Sequence, residues 1–473
     1  MEWRCMRSIE NQSKITRREL AAFVGQAAAC CVYLPCKADH IVRGHEMPLL
    51  PNADIEYLRK VAQDTIHAAV VEPGSLRGGQ GPNRCGIPLI TPGGNYPAFW
   101  IRDFAMSLDC GLIPCDISLP MLRLIGRCQQ GPTTRRLKSG GVIPAFAIPD
   151  HINFDGSAVF YPGTYSAGDD QGALPWGPQP PADDDYYFIH AAYVIWRQSG
   201  STEFLMEIVD GIALLERLKR AFERPHIDVK TGAVTTGRDA QTRTVGFGFQ
   251  DSVWLEGAMA FATLLRLQAA SELLQLCTAA QRENETAPYS AVEQQIQHSF
   301  GTVFAYPDAD AGWVMAATRT GRQPDVWATL LALHLGVLHG SRAEAALKAI
   351  HAAVDCPGNR IEYLGGVRHV PCDRYFSADR CWERGGTAPG TYQSGAFWHT
   401  ATGWLLKALE RTNPATARGV ATRYITALRA GNGAPWECYG LGTKGELTGA
   451  QNPVYMTSVT VPLSILSPPD WLR

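Results

Sequence analysis

The chain has 473 residues, 45% hydrophobic and 19% charged, enough to bury a large core. Its formal net charge is −2 and no Lys/Arg-rich run exceeds a few residues, which excludes the electrostatic footprint of a nucleic-acid or anionic-membrane binder. A neutral or weakly charged small ligand suits such a surface.

The first fifty residues read as an address and a linker. Thr16-Arg17-Arg18-Glu19-Leu20 leads into a short apolar run ending near Leu34, the charged start and brief apolar centre of an export signal. It resembles a bacterial twin-arginine signal, which implies export to a periplasm; the alternative is a retained leader on a cytoplasmic chain. The run is too short to span a bilayer. Four of the thirteen cysteines (Cys5, Cys30, Cys31, Cys36) lie in this leader region, and the other nine show no zinc-like C-x-x-C spacing. An oxidising compartment would favour the local pairs Cys110 with Cys115 and Cys372 with Cys381.

From Asp54 the hydrophobic period is helical. The pattern predicts helices near 54–71, 101–113, 117–128, 184–199, 202–222, 251–268, 270–300, 324–339, 342–354, 395–411, 414–430 and 456–466. Links alternate: short ones after each even-numbered helix, as at Pro114-Cys115-Asp116 and Thr412-Asn413-Pro414, and long ones rich in Gly, Pro and aromatics before each. Six hairpins with all their long loops on one side describe an all-α (α/α)6 toroid, with six inner helices starting at a funnel. Residues 51–473 then form one barrel. A solenoid would need a fixed sequence repeat, and none is present.

The starts of the inner helices carry the chemistry. At the first, Trp100-Ile101-Arg102-Asp103 sets a guanidinium and a carboxylate behind a tryptophan, donors and acceptors suited to vicinal hydroxyls. At the second, Asp183-Asp184-Asp185 sits where the helix dipole favours carboxylates; capping accounts for most of the cluster, with Asp184 or Asp185 left to reach a hydroxyl. At the third, Gly246-Phe247-Gly248-Phe249-Gln250-Asp251 presents one acid among rings, with Trp254 following. At the fourth, Asp325-Val326-Trp327 reads equally as an N-cap before a core Trp or as a subsite wall. His190, His334 and His399 read as structural.

Trp100-Ile101-Arg102-Asp103 is similar to the W-x-R-D segment of glucoamylase-like six-hairpin glycosidases. Gly248-Phe249-Gln250-Asp251-Ser252-Val253 resembles the general-acid segment of the trehalase and processing α-glucosidase group. Tyr392-Gln393-Ser394-Gly395-Ala396-Phe397-Trp398 resembles their Y-Q-N-G-x-x-W stretch, with Ser394 departing at the Asn, and Gly433-Ala434-Pro435-Trp436-Glu437 resembles the late glutamate used as general base. The resemblance implies an inverting glycoside hydrolase acting on a glucoside or related glycan without metal or organic cofactor. Arg102 and Asp103 would hold the terminal sugar of an oligosaccharide or glycoside, as in exo action. Trp100, Phe249, Trp254, Trp327, Tyr392, Gln393, Trp398 and Trp436 would line the site.

Inversion needs a protonated carboxyl on the leaving oxygen and an ionised one activating water from the opposite face. Asp251 between Phe249 and Trp254 is the candidate acid, its pKa raised by apolar surroundings, and Glu437 is the candidate base. Glu256 and Glu383 are held in reserve, Glu256 reading as structural. Two other classes compete. An isomerase or epimerase on the same barrel would call on His369 and His399, and a silent glycan-binding protein would not need both carboxylates.

Overall fold

The computed structural model describes residues 48–472 other than 80, 238–242, 309–310, 357–360, 386 and 442–446. The leader, with Arg17-Arg18 and its four cysteines, lies outside the described residues. Twelve α-helices run in chain order among the described residues: α1 (Asn52–Ala69), α2 (Ile101–Leu108), α3 (Cys115–Cys128), α4 (Asp183–Ser199), α5 (Leu214–Glu223), α6 (Ala260–Ala279), α7 (Ala287–Val303), α8 (Val326–His334), α9 (Gly340–Asp355), α10 (Thr402–Glu410), α11 (Pro414–Ala430) and α12 (Thr457–Leu466). The even-numbered helices pack in succession, α2 on α4, α4 on α6, α6 on α8, α8 on α10 and α10 on α12, and α12 returns to α2. Odd-numbered helices lie against them, as α7 does on α6 and α11 on α10.

Burial follows from sequence. Every residue of α2 is buried, and in α8 every residue from Val326 to Leu333 is, because these helices have neighbours all round. By contrast α9 buries only Ala343, Ala346, Leu347, Ile350 and Val354, a single stripe at three- and four-residue spacing. None of the described helices is long and apolar enough to cross a membrane. Residues Leu49–Arg473 form one compact unit.

Several expectations differ from the structure; the helix expected over 202–222 is a 3-10 turn and a short hairpin up to Leu214, and that expected over 395–411 begins at Thr402. The chain is helix-rich but not purely α: the long links carry short antiparallel ribbons, including a three-stranded sheet in which Ala98–Trp100 pairs with His151–Asn153 and that strand with Ala158–Val159. The break expected near Leu267 to Ala270 is absent, since Gln268-Ala269-Ala270-Ser271 holds no Gly or Pro. Helix α6 runs on to Ala279, and Gln281 turns the chain at φ 58°. Nor does a helix start at 251. Gly248–Gln250 make one 3-10 turn, and the β-favouring Val253-Trp254-Leu255 stretch stays extended, bridged at Val253 to Gly385, at Glu256 to Thr320 and at Met259 to Ala317, until α6 opens at Ala260.

Cys110, Cys115, Cys372 and Cys381 are free thiols, so neither local pair is bridged. Other partners take them: Cys115 Sγ lies 3.3 Å from Gln198 Oε1, Cys372 meets Arg368, and Cys381 donates to the Ser394 carbonyl at 2.8 Å.

Candidate active site

The long links bring Glu437, which is buried, and Asp251, which is half-buried, to the start of α2, where Asp103 sits. Gly93, at φ 118°, brings the link before α2 against the link before α12: it bridges Tyr455, and a Cβ there would lie 1.9 Å from the Val454 carbonyl oxygen. That stitch sets Tyr96 beside Tyr455, ring centroids 5.9 Å apart. Tyr96 Oη donates to Glu437 Oε1 at 2.9 Å, Asn452 Nδ2 donates to Glu437 Oε2, and Tyr455 Oη donates to Asp103 Oδ1 at 2.7 Å.

Asp251 is held from the far side of the sequence. The fully buried Gln393 donates through Nε2 to Asp251 Oδ1 at 2.9 Å and to the Gly248 carbonyl at 3.2 Å, while its Oε1 accepts from Ser252 N at 2.8 Å and Ser252 Oγ at 2.7 Å. One amide thereby fixes both the carboxyl and the turn that carries it. Gln250 Nε2 donates to Asp325 Oδ2 at 2.7 Å, and Asp325 Oδ1 caps α8 through Ala328 N at 2.9 Å. Asp325 is therefore the N-cap, with Trp327 in the core.

Burial raises Asp251 to about 6, with Asp150 adding to it and Arg102, Gln393 and Arg243 working against it. Burial likewise raises Asp103 to about 6 and Glu437 to about 7. For Glu437 the bonds from Asn452 and Tyr96 oppose the rise, while the charges of Asp103 and Asp251 reinforce it. The phenol of Tyr392 is pushed well up by burial, then by Glu437, Asp251 and Asp103. These three acids thus act on one another within a single low-dielectric site. Tyr392 itself sits at φ 37°, a conformation a bulky residue adopts only when its surroundings impose it.

Arg102 is not the exposed sugar clamp that its motif implied. Its Nε meets Asp183 Oδ2 at 2.8 Å, and its Nη2 meets Asp150 Oδ1 at 3.0 Å and Asp184 Oδ2 at 3.2 Å, all four side chains buried. Asp103 faces Tyr455 instead, because adjacent helical residues project about 100° apart. Beneath Arg102 lies Gly248: a Cβ there would fall 1.9 Å from the guanidinium carbon. Asp150 also bonds His151 Nδ1 at 2.8 Å, and the His151 ring stacks on Trp100 at 4.6 Å.

Several predicted binding residues have other work. Asp185 is fully buried, accepting from Arg224 and from Ile148 N at 3.4 Å, so it is an internal ion-pair partner. Trp327 and Trp398 are also fully buried, donating to the Val367 and Tyr392 carbonyls; Trp327, Trp398 and Tyr455 surround Phe249, with centroids 5.6 to 6.3 Å away, so these rings form the floor under the carboxylates. Trp254 donates to Glu256 Oε1 at 2.8 Å and lies under the guanidiniums of Arg384 and Arg243, so its contacts are with charges. Trp436 is half-buried, its carbonyl taking the Ser458 hydroxyl at 2.7 Å. Glu256 also accepts from Thr320 Oγ1 and pairs with Arg319 and Arg384, and Glu383 accepts from Gly321 N, so both brace loops. His369 is buried against Trp327, and His399 bonds the Leu364 carbonyl; burial lowers them to about 3 and about 4.

Tyr96, Asp150, Asn452 and Tyr455 were not singled out in the sequence, and Asp183, read there as a cap, instead holds Arg102. Only Tyr96 carried a signal, inside the Gly93 to Trp100 stretch. A cavity of about 550 Å³ lies away from these carboxylates, deeper among the even-numbered helices.

No protein-family model matches the chain, and no curated protein resembles it in sequence. Solved structures do resemble it in shape. A GH78 family rhamnosidase of a Bacillus species aligns with TM-score 0.51 and 12% identity, covering 87% of this chain and 34% of that one. The chain has a glycosidase-type fold. A glycosidase variant in complex with glucose aligns at TM-score 0.52 and 12% identity over 88% of this chain and 98% of that one. An uncharacterised conserved protein from Thermus thermophilus aligns at 0.50 and 15% identity over 88% and 100%. This chain therefore spans about a third of the rhamnosidase and nearly all of the other two.

Proposed function

We propose that the protein is an inverting glycoside hydrolase built on an (α/α)6 toroid, with Asp251 as general acid and Glu437 as general base. The observation that carries this reading is the convergence of Asp251 and Glu437, from the links before α6 and α12, and of Asp103, from the first turn of α2, on one site where burial raises each pKa. Glu437 retains its proton more tightly than Asp251, the reverse of the order these roles need. Hydrogen bonding supports the roles nonetheless. Both oxygens of Glu437 accept from fixed donors, an arrangement that suits an ionised base, whereas Asp251 takes the Gln393 bond on Oδ1, leaving Oδ2 to carry the proton.

The sealed Arg102 floor favours a pocket that ends at one sugar, hence exo action, and a fold neighbour that holds glucose makes glucosides the first substrates to try. The twin-arginine-like leader supports export.

Proton NMR of the first-formed anomer tests inversion. Asp251→Asn should lose about 10²- to 10⁴-fold on alkyl glycosides yet turn over 2,4-dinitrophenyl glycosides, whose leaving group needs no proton. Glu437→Gln should fail on both and recover with azide. Retention of configuration, the opposite pattern, or near-wild-type activity of either variant would overturn the assignment.

A further inference from the structure

The resemblance gave Gln393 a place in the lining of a sugar site, but its amide has no hydrogen-bonding capacity left for a sugar. A primary amide carries two N–H donors and two acceptor lone pairs. Nε2 gives one N–H to Asp251 Oδ1 at 2.9 Å and the other to the Gly248 carbonyl at 3.2 Å. Oε1 accepts from Ser252 N at 2.8 Å and from Ser252 Oγ at 2.7 Å. Every position is spent within the protein. Nor can the amide turn over. Ser252 N only donates and the Gly248 carbonyl only accepts, so Oε1 must face Ser252 and Nε2 must face Asp251.

The backbone beneath this side chain is held as firmly. Thr391 to Ser394 form a tight turn, closed by Ser394 N on the Thr391 carbonyl at 2.8 Å, with Tyr392 at φ 37°. The next carbonyls are each taken in turn. That of Tyr392 accepts from Ala396 N at 3.0 Å, that of Gln393 from Trp382 Nε1 at 3.0 Å, and that of Ser394 from Cys381 Sγ at 2.8 Å and Gly390 N at 2.9 Å. Surroundings that over-determine a strained turn in this way mark a functional constraint.

The lock has a chemical consequence at Asp251. In a protonated carboxyl the carbonyl oxygen is the better acceptor, so the bond from Nε2 keeps the proton off Oδ1 and on Oδ2. Oδ2 has no partner among the described residues and is left accessible on the half-buried side chain.

We propose that Gln393 is a positioning residue of the hydrolytic reaction, holding Asp251 so that Oδ2 is the oxygen that delivers the proton. This rests on the reading of Asp251 as general acid. In that step the Oδ2–H bond breaks as the glycosidic oxygen takes the proton, and the electron pair of the breaking C–O bond stays on that oxygen. Water bonds to the anomeric carbon and loses a proton to Glu437. Asp251 is left as a carboxylate whose Oδ1 still accepts from Gln393.

The near-isosteric Gln393→Glu tests this. Its carboxylate keeps the bonds from Ser252 but turns an acceptor towards Asp251 Oδ1, and the two oxygens then meet only by sharing a proton, which draws it off Oδ2. On methyl glucosides kcat should fall about a hundredfold with KM within about threefold of the parent. With 2,4-dinitrophenyl glucosides, whose leaving group needs no proton, turnover should stay within about threefold. Equal loss on both substrates, a raised KM at unchanged kcat as for a sugar ligand, or parental rates on methyl glucosides would overturn the proposal. Asp251→Asn, assayed beside it, separates the two claims. If the loss confined to methyl glucosides occurs there but not in Gln393→Glu, the positioning role alone falls; if Asp251→Asn lacks it, the acid assignment falls and the role with it. If Gln393→Glu does not fold by circular dichroism, Gln393→Met decides: about tenfold loss confined to methyl glucosides supports the role, and equal loss on both substrates overturns it.

Discussion

Gly248→Ala tests whether the Arg102 cluster is as rigid as its bonding implies. The new Cβ would lie 1.9, 2.1 and 2.3 Å from the guanidinium Cζ, Nε and Nη2. Those atoms cannot swing aside cheaply, because Nε is tied to Asp183 Oδ2 at 2.8 Å and the same oxygen accepts from Gly248 N at 2.8 Å. Displacing Arg102 leaves buried carboxylates short of their counter-charge, which costs about 3 to 5 kcal/mol. Keeping it in place moves the backbone instead, at about 1 to 3 kcal/mol for overpacking. A loss of about 4 kcal/mol is expected, or about 4 °C in Tm for a unit of this size. Turnover should fall about a hundredfold, since the Gly248 carbonyl helps fix Gln393 and hence Asp251. Urea denaturation followed by tryptophan fluorescence measures the stability term. Gly419→Ala is the control: it sits in α11, its Cβ would meet only the Arg423 tip at 3.5 Å, and it should stabilise by about 0.5 to 1 kcal/mol. Equal stability of Gly248→Ala and the parent would refute a tightly held Arg102.

Four carboxyls whose pKa values burial raises should add stability as pH falls from 8 towards 6.5, where the opposing protonation of unfolded His369 and His399, held neutral by burial when folded, has not yet set in. Asp103, Asp251 and Asp325 sit near 6 against an ordinary 3.8, and Glu437 near 7 against 4.5. Raised carboxyls bind protons more tightly when folded, so their contribution is complete below about 4 and is lost as pH climbs through 6 to 7. Urea midpoints higher at pH 8 than at pH 6.5 would contradict this. Tyr96→Phe removes a bond that favours the ionised Glu437, so the limb of the kcat/KM profile that reports this group should move up by about half a unit or more. An unmoved limb would remove Glu437 from the titrating pair. For the chain from Leu49 onward, reduction with dithiothreitol should leave Tm unchanged, because its nine cysteines are free; a drop would reveal a bridge.

The helical rhythm was legible because a helix such as α9 has one wet face whereas α2 and nearly all of α8 have none, and because turn residues mark the long links. Asp251, Glu437 and Gln393 stand out in the sequence because acids and amides in aromatic loops have few structural excuses, and the structure places Gln393 against Asp251. Trp327, Trp398 and Asp185 could not be read, because a ring that floors a site and a ring that faces it have the same neighbours in sequence. Helix and extended chain were confused at 251 to 259 because the bridges to Thr320 and Gly385 that hold it extended come from other links. Partners such as Tyr455 for Asp103 lie 352 positions apart, a separation no local pattern encodes.

That separation bears on how the molecule is made. Helix α12 packs on α1 and α2, and Tyr455 and Asn452 tie down acids from distant parts of the chain, Asp103 and Glu437. During synthesis, the faces of α1 and α2 that α12 covers must therefore wait until α12 leaves the ribosome. Docking of α12 is then a step of high contact order. Chaperone demand should fall on this waiting period, and a permuted chain joining α12 directly to α1 should shorten it.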